Sequence, residues 1–205
     1  MDAVTVLQAA ALTVAAFFIG GIPWGVIVAR LSGGPDPRTI GSGRTGGANV
    51  MRALGPRLAL LSGLLDMLKG TAAVLLARFV GAGIEVEVLA GVAAIIGHSR
   101  SPFLGFSGGR GVSAAFGAAL VLAPVAAAVL LVVFVAVLAV TRYTSLASLV
   151  AAAVGGVTLA LQVIVTGQPP ALLVFAIVGP VLIWYFHLDN IGRLLRGEER
   201  KFGAK

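Results

Sequence analysis

No cysteine occurs among the 205 residues, which excludes disulfides and thiolate metal sites but leaves the compartment open. Charge is scarce: Asp, Glu, Lys and Arg make up 11% of the chain, where a soluble domain carries about 25%. Hydrocarbon takes its place, with 59% of residues apolar and collected in long runs of Ala, Val and Leu. A soluble globular domain is therefore excluded, and an all-α, polytopic integral membrane protein is expected. The surplus of 15 Lys and Arg over 8 Asp and Glu would suggest nucleic acid in a soluble protein. Here the positive-inside rule accounts for it, and no nucleic-acid partner is expected. The first apolar run follows Asp2, lacks a basic n-region and is too long for a secretory h-region, so it reads as a retained transmembrane helix. Also missing are a Gly-x-Ser-x-Gly elbow, a His-x4-Asp acyltransferase pattern, a His-Glu-x-x-His metal motif and a Walker loop. No metal or cofactor is expected. Any reaction should depend on positioning and charge neutralisation rather than on a covalent enzyme intermediate.

The apolar runs set the expected topology. Val4–Val28 is the first span, broken near its end by Gly20, Gly21 and Pro23, and Leu58–Val80 is the second, interrupted by Asp66 and Lys69. Ile84–Ile96 is shorter, and Val112–Val140 is too long: at ~1.5 Å per residue it would reach roughly 43 Å, against a ~30 Å hydrocarbon core. Pro124 lies inside that run, so a hairpin of two helices is expected there. Leu146–Thr166 and Pro170–Phe186 complete a single membrane domain, 1–205, with seven crossings. With seven, Arg30, Arg38, Arg44, Arg52, Arg57, Arg100, Arg110, Arg142 and the basic tail share one side, and Asp2, Glu85 and Glu87 lie on the other. The expected N-terminus is therefore outside. The glycine-rich loops at about 31–57 and 97–111 and the tail at about 188–205 are cytoplasmic; six crossings would scatter the basic loops over both faces.

The polar residues concentrate in those loops. Thr39–Arg52 contains Gly41, Gly43, Gly46 and Gly47, which allow positive φ and can aim consecutive N–H groups at one point. Ser42, Arg44 and Arg52 add a hydroxyl and two guanidinium groups, a combination suited to phosphate; the competing reading is a flexible linker, which needs no arginine. In the second loop Gly108-Gly109-Arg110-Gly111 leads into a helix, bringing N–H groups, a helix dipole and a guanidinium together. His98, just before it, reads as a hydrogen-bonded histidine at a helix end or as a base. Asp66 and Lys69 share a helix face and read either as a structural ion pair or as substrate ligands. Ser145 reads as a helix cap. His187, Asn190 and Arg193 form one polar stripe if their helix continues, while the outer tail cations suit anionic lipid headgroups.

Taken together, these residues resemble the bacterial acyl-phosphate:glycerol-3-phosphate acyltransferases. The resemblance rests on Gly21-Ile-Pro-Trp-Gly25, Ile40-Gly-Ser-Gly43, Asn49-Val-Met-Arg52, Leu65-Asp-Met-Leu-Lys-Gly70, Gly97-His98, Gly108-Gly-Arg-Gly-Val112, Arg142-Tyr-Thr-Ser-Leu-Ala-Ser148 and His187-Leu-Asp-Asn-Ile191, in order and spacing. It implies seven helices in the bacterial plasma membrane around a site facing the cytoplasm. There an acyl group passes from acyl phosphate to the 1-hydroxyl of glycerol 3-phosphate, giving lysophosphatidate. It further implies a catalytic set of Ser42, Arg52, Arg110, His187 and Asn190. Gly41, Gly43, Arg44, Asn49, Lys69, His98, Gly108, Gly109, Ser145 and Ser148 would bind substrate, with membrane lipids as the surroundings. Ser42 and its loop would take the acyl phosphate; Arg52, Ser145, His187 and Asn190 the glycerol phosphate. The chain departs from the family pattern at Arg44 for Asn, Gly47 for Ala, Ala48 for Thr, Arg110 for Lys, Ser113-Ala114 for Ala-Thr, Gly105 and Ser107 for Lys, and Leu188 for Arg, and its proline, Pro102, lies one residue later than usual. These departures keep two other readings in view: a non-catalytic relative that binds a phosphorylated lipid or metabolite, and a small transporter using Asp66 and Lys69.

Overall fold

The computed structural model describes residues 3–203. They form ten α-helices and two 3-10 turns (Pro37–Thr39 and Pro102–Leu104), with no strand among the described residues. The helices are α1 Ala3–Gly21, α2 Trp24–Leu31, α3 Gly47–Leu54, α4 Pro56–Phe79, α5 Ile84–Ser99, α6 Val112–Leu122, α7 Pro124–Thr141, α8 Thr144–Thr166, α9 Ala171–Phe186 and α10 Leu188–Leu195. By length and composition, α1 with α2, α4, α7 and α8 can each cross a membrane, and α9 with α10 makes a fifth candidate bent by 62°. α5 and α6 are shorter than the ~20 residues of a full crossing.

Proline and glycine set the breaks. Pro124 begins α7, and the long apolar run divides at Ala123, as a ring that cannot donate a hydrogen bond requires. Pro23 likewise separates α1 from α2, and the carbonyls this frees are taken up by side chains: Lys69 Nζ donates to Ile22 O at 2.7 Å, and Ser101 Oγ to Gly21 O at 2.6 Å. Unwound backbone at membrane depth is tolerated where protein groups satisfy it in this way.

α5 is the central helix, packed on α1, α4, α6 and α9. On one side Ala16, Ala73, Ala77, Ala90 and Ala94 form a small-residue core between α1, α4 and α5. On the other, Val88, Ile95, Ala118, Leu122, Leu159, Phe175 and Ile183 join α5 to α6, α8 and α9. Without a hydrophobic drive between helices in lipid, close backbone approach carries much of the packing. Where α4 meets α6 this is reciprocal: a Cβ on Gly70 would strike Ala114 O, and one on Gly117 would strike Met67 O. α7 fully buries only Ala126 and Ala127, while Leu130 packs on Gly155 of α8.

Two segments depart from the expected layout. The loop at 31–57 contains α3, and the polar stripe after Phe186 does not continue α9, because the chain bends at His187 and restarts as α10.

Candidate active site

The first glycine-rich loop is built around Asn49, which is 2% exposed. Its amide nitrogen lies within 2.9 Å of the carbonyl oxygens of Pro37, Ile40 and Arg44, and its Oδ1 accepts from Ser42 N–H at 3.3 Å and from Arg52 Nη1 at 3.4 Å. Asn49 therefore shapes the loop from beneath. Gly41 and Gly43 have φ of +58° and +67°, conformations a Cβ would strain. Gly46 and Gly47 do not share them: Gly46 precedes α3 with φ −75° and Gly47 is its first residue. What they contribute instead is an unobstructed helix start, a donor-rich positive end.

The second loop brings the N-terminus of α6 to the same place. Gly108 and Gly109 pack against His98, with Gly109 N–H donating to His98 O at 3.1 Å. This close fit lets Arg110 reach the front. Arg110 Nη2 binds Asp189 Oδ2 at 2.6 Å, and Arg193 Nη1 approaches the same oxygen at 3.3 Å. Burial would raise the Asp189 carboxyl pKa, but Arg110 and Arg193 outweigh it and hold it below the usual range. Burial pulls the Arg52 and Arg110 guanidinium groups below the usual arginine range; arginine nonetheless stays cationic.

α3, α6, α8, α10 and the tail enclose a cavity of about 340 Å³, within the range of small-molecule sites. Eleven of the residues expected at a site line it together: Gly41, Ser42, Arg44, Asn49, Arg52, His98, Arg110, Ser145, Ser148, His187 and Asn190. Four do not. Gly43 only turns the loop, and Gly108 and Gly109 back onto His98. Lys69 is buried behind the cavity, 2.7 Å from Asp66 Oδ1, with His98 Nδ1 3.5 Å from the same carboxylate oxygen. Asp66 thus links Lys69 to His98 at the end of α5.

The tail, whose outer cations suit anionic lipid headgroups, turns back over the cavity. Gly197 takes φ +70°, and Glu199 then accepts from Ser145 Oγ at 2.9 Å, Asn190 Nδ2 at 2.7 Å and Arg193 Nε at 2.8 Å. Ser145 is therefore no helix cap; Tyr143 precedes α8 without a side-chain bond. Phe202 N–H donates to Arg142 O at 2.6 Å, and Arg142 Nη2 returns a bond to Phe202 O at 3.1 Å. Arg193, Glu199, Arg200 and Phe202 join the lining, none of them expected there. Two glutamates amid tail cations were the available signal. Phe134 and Leu138 of α7 give the cavity an apolar wall beside its five arginines.

His187 Nδ1 lies 2.7 Å from Ile183 O. A carbonyl only accepts, so Nδ1 carries a proton. Burial, reinforced by Arg110, pushes the ring pKa down from 6.5 to about 4 against the pull of that bond and of Asp189 and Glu199. The ring is neutral at pH 7, so Nε2 is an acceptor, suited to a hydroxyl rather than to a phosphate oxygen.

A family model described as glycerol-3-phosphate acyltransferase matches residues 10–197. The chain belongs to that family. A glycerol-3-phosphate acyltransferase of Rubrobacter xylanophilus is 41% identical over 95% of both chains, and glycerol-3-phosphate acyltransferase 1 of Deinococcus radiodurans is 41% identical over 92% of this chain and 93% of its own. The crystal structure of PlsY (YgiH), an integral membrane glycerol 3-phosphate acyltransferase, in its glycerol 3-phosphate form, superposes with a TM-score of 0.86 at 38% identity over 96% of both chains. Its lysophosphatidic acid form gives 0.84 at 36% identity, again over 96% of both. The family fold and the apolar helices together make this chain a multi-pass integral membrane protein.

Proposed function

We propose that this protein transfers an acyl group from acyl phosphate to the 1-hydroxyl of glycerol 3-phosphate, giving lysophosphatidate and phosphate. The observation that carries this reading is a single cavity where Arg44, Arg52, Arg110, Arg193 and Arg200 meet the glycine-rich loop and an apolar wall of Phe134 and Leu138. Both substrates bear phosphate, and one bears a long hydrocarbon chain. Such a cavity suits both.

In this reading the 1-hydroxyl oxygen attacks the acyl carbonyl carbon. The new ester C–O bond forms as the bond from that carbon to the phosphate oxygen breaks, and the departing phosphate takes the hydroxyl proton. A histidine held near pKa 4 is a weak base at neutral pH, and Glu199 is engaged by three donors, which favours the leaving phosphate as proton acceptor. Ser42, the loop N–H groups and Arg44 hold the donor phosphate, and Arg110 neutralises charge on the leaving group. Arg52, Ser145 and Asn190 hold the glycerol phosphate, and His187 accepts from a glycerol hydroxyl. Ser148, His98 and Asn49 line or support this set.

The single domain, 1–205, crosses the bacterial plasma membrane seven times in this proposal. α5 and α6 serve as short crossings, with the N-terminus outside and the cavity and tail cytoplasmic. The one-sided arginine distribution supports that orientation. The test is phosphate release from palmitoyl phosphate by purified protein, with and without glycerol 3-phosphate. Acceptor-dependent release with lysophosphatidate as product is expected, abolished in a folded Arg52→Ala variant. Acceptor-independent release, or full activity in that variant, would refute the assignment.

A further inference from the structure

Cations in the cavity differ in what neutralises them. Arg110 and Arg193 are paired with Asp189 and Glu199. Arg200 has no hydrogen bond or ion pair among the described residues, and Arg52 has only the long contact to Asn49 Oδ1. These two lie side by side nonetheless. A Cβ on Gly41 would stand 3.1 Å from Arg200 Nη1 and 3.6 Å from Arg52 Cδ, and the positive fields of Arg200 and Arg193 act on Arg52 against the negative field of Glu199. Two guanidinium groups brought together at a cavity wall repel each other unless an anion lies between them. Nothing about Arg200 itself keeps it there. The tail is anchored on either side of it, by Glu199 to Ser145, Asn190 and Arg193, and by Phe202 to Arg142.

We propose that Arg200 is a substrate-binding residue, which the folded-back tail brings against Arg52 so that the two guanidinium groups clamp the phosphate of glycerol 3-phosphate. The glycerol substrate is the choice because Glu199, next to Arg200 in the chain, bonds Ser145 and Asn190, two residues assigned to that substrate. Two planar forks from different segments, one on α3 and one on the tail, can approach the three oxygens of a monoester from opposite sides. The clamp rests on the reading of the cavity as an acyltransferase site. It adds to that reading a specificity-determining residue outside every motif that marks the family resemblance.

The test compares Arg200→Ala and Arg200→Lys with the parent protein, in turnover and in direct calorimetric binding of glycerol 3-phosphate without donor. Arg200 is exposed and its anchors stay intact, so both variants fold. Arg200→Ala should raise KM and Kd for glycerol 3-phosphate by about tenfold, the scale of one charge-assisted hydrogen bond. kcat and the KM for palmitoyl phosphate should change by less than about twofold, and Arg200→Lys should recover part of the loss. Unchanged glycerol 3-phosphate constants in an active Arg200→Ala protein would overturn the clamp and leave the acyltransferase reading intact. A rise confined to the palmitoyl phosphate KM would also overturn it. A parent protein that binds glycerol 3-phosphate through Arg200 yet releases no phosphate would uphold the clamp and refute the acyl transfer.

Discussion

Replacing Glu199 by Ala should release the tail. The carboxylate is 6% exposed and accepts three hydrogen bonds, from Ser145, Asn190 and Arg193. Bonds to a charged group contribute about 1.5–3 kcal/mol each, and stranded donors add their own desolvation cost. Two circumstances reduce the sum. Arg193 is 28% exposed and keeps Asp189 as a second partner at 3.3 Å, and water can reach an opened tail. A net weakening of about 2–3 kcal/mol is therefore expected for tail docking, which raises the undocked population roughly 30- to 160-fold. Limited trypsin digestion in detergent reads that population directly through cleavage after Arg200 and Lys201, provided reclosing is faster than cutting. The control is Glu198→Ala. Glu198 is 58% exposed and pairs only with Arg196, a surface contact that contributes well under ~1 kcal/mol, so its digestion should match the parent. Equal digestion of the Glu199→Ala and parent proteins would refute the view that this carboxylate holds the tail down.

Three other substitutions test separate parts of the account. Gly117→Leu places a side chain against the Met67 carbonyl and should prevent α4 from seating on α6, seen as loss of a monodisperse folded species on size-exclusion chromatography; Gly63→Leu, with open space at its Cβ, should behave as the parent. His187 lowers stability in acid: its folded pKa of about 4 lies below the usual 6.5, so its contribution is complete above about pH 6.5 and is lost as pH falls toward 4. That loss is about 3 kcal/mol, and thermal unfolding of His187→Gln should lack this component between those pH values. Asp189→Asn removes the carboxylate shared by Arg110 and Arg193. It should tighten glycerol 3-phosphate or inorganic phosphate binding a few-fold at low salt, an effect that fades above ~0.5 M salt.

The helix layout was legible because lipid leaves little choice. Apolar runs, Pro23 and Pro124 fixed the breaks to within a few residues, since a freed backbone carbonyl or a missing N–H cannot be hidden among lipid tails. That the two glycine-rich loops meet at one cavity was legible for a related reason: Arg44, Arg52 and Arg110 have no place in a neutral linker. What escaped was everything set by long-range folding. α3 is only two turns long and opens on Gly46 and Gly47, whose poor helix propensity masks the Val50, Met51 and Leu54 face that follows. Ser145 meets Glu199 across 54 positions, a contact no local pattern announces, so the nearer explanation of a cap was preferred. The tail carried enough cations to look like a lipid-binding segment, and only the fold brings Arg200 to the cavity wall.

The Asp66–Lys69 pair bears on how the chain enters the membrane. α4 alone presents to the insertion machinery two ionisable groups, each costing about 2.5–3.5 kcal/mol at the centre of a helix. In the finished fold each has a protein partner: Lys69 meets the Ile22 carbonyl between α1 and α2, and Asp66 meets His98 of α5. α4 should therefore leave the translocon late, after α1 and α2 are in place and with α5 close behind it, so that biogenesis is ordered by an ion pair rather than by hydrophobicity. A truncated chain ending after α4 should insert poorly, and one extended through α5 should insert well.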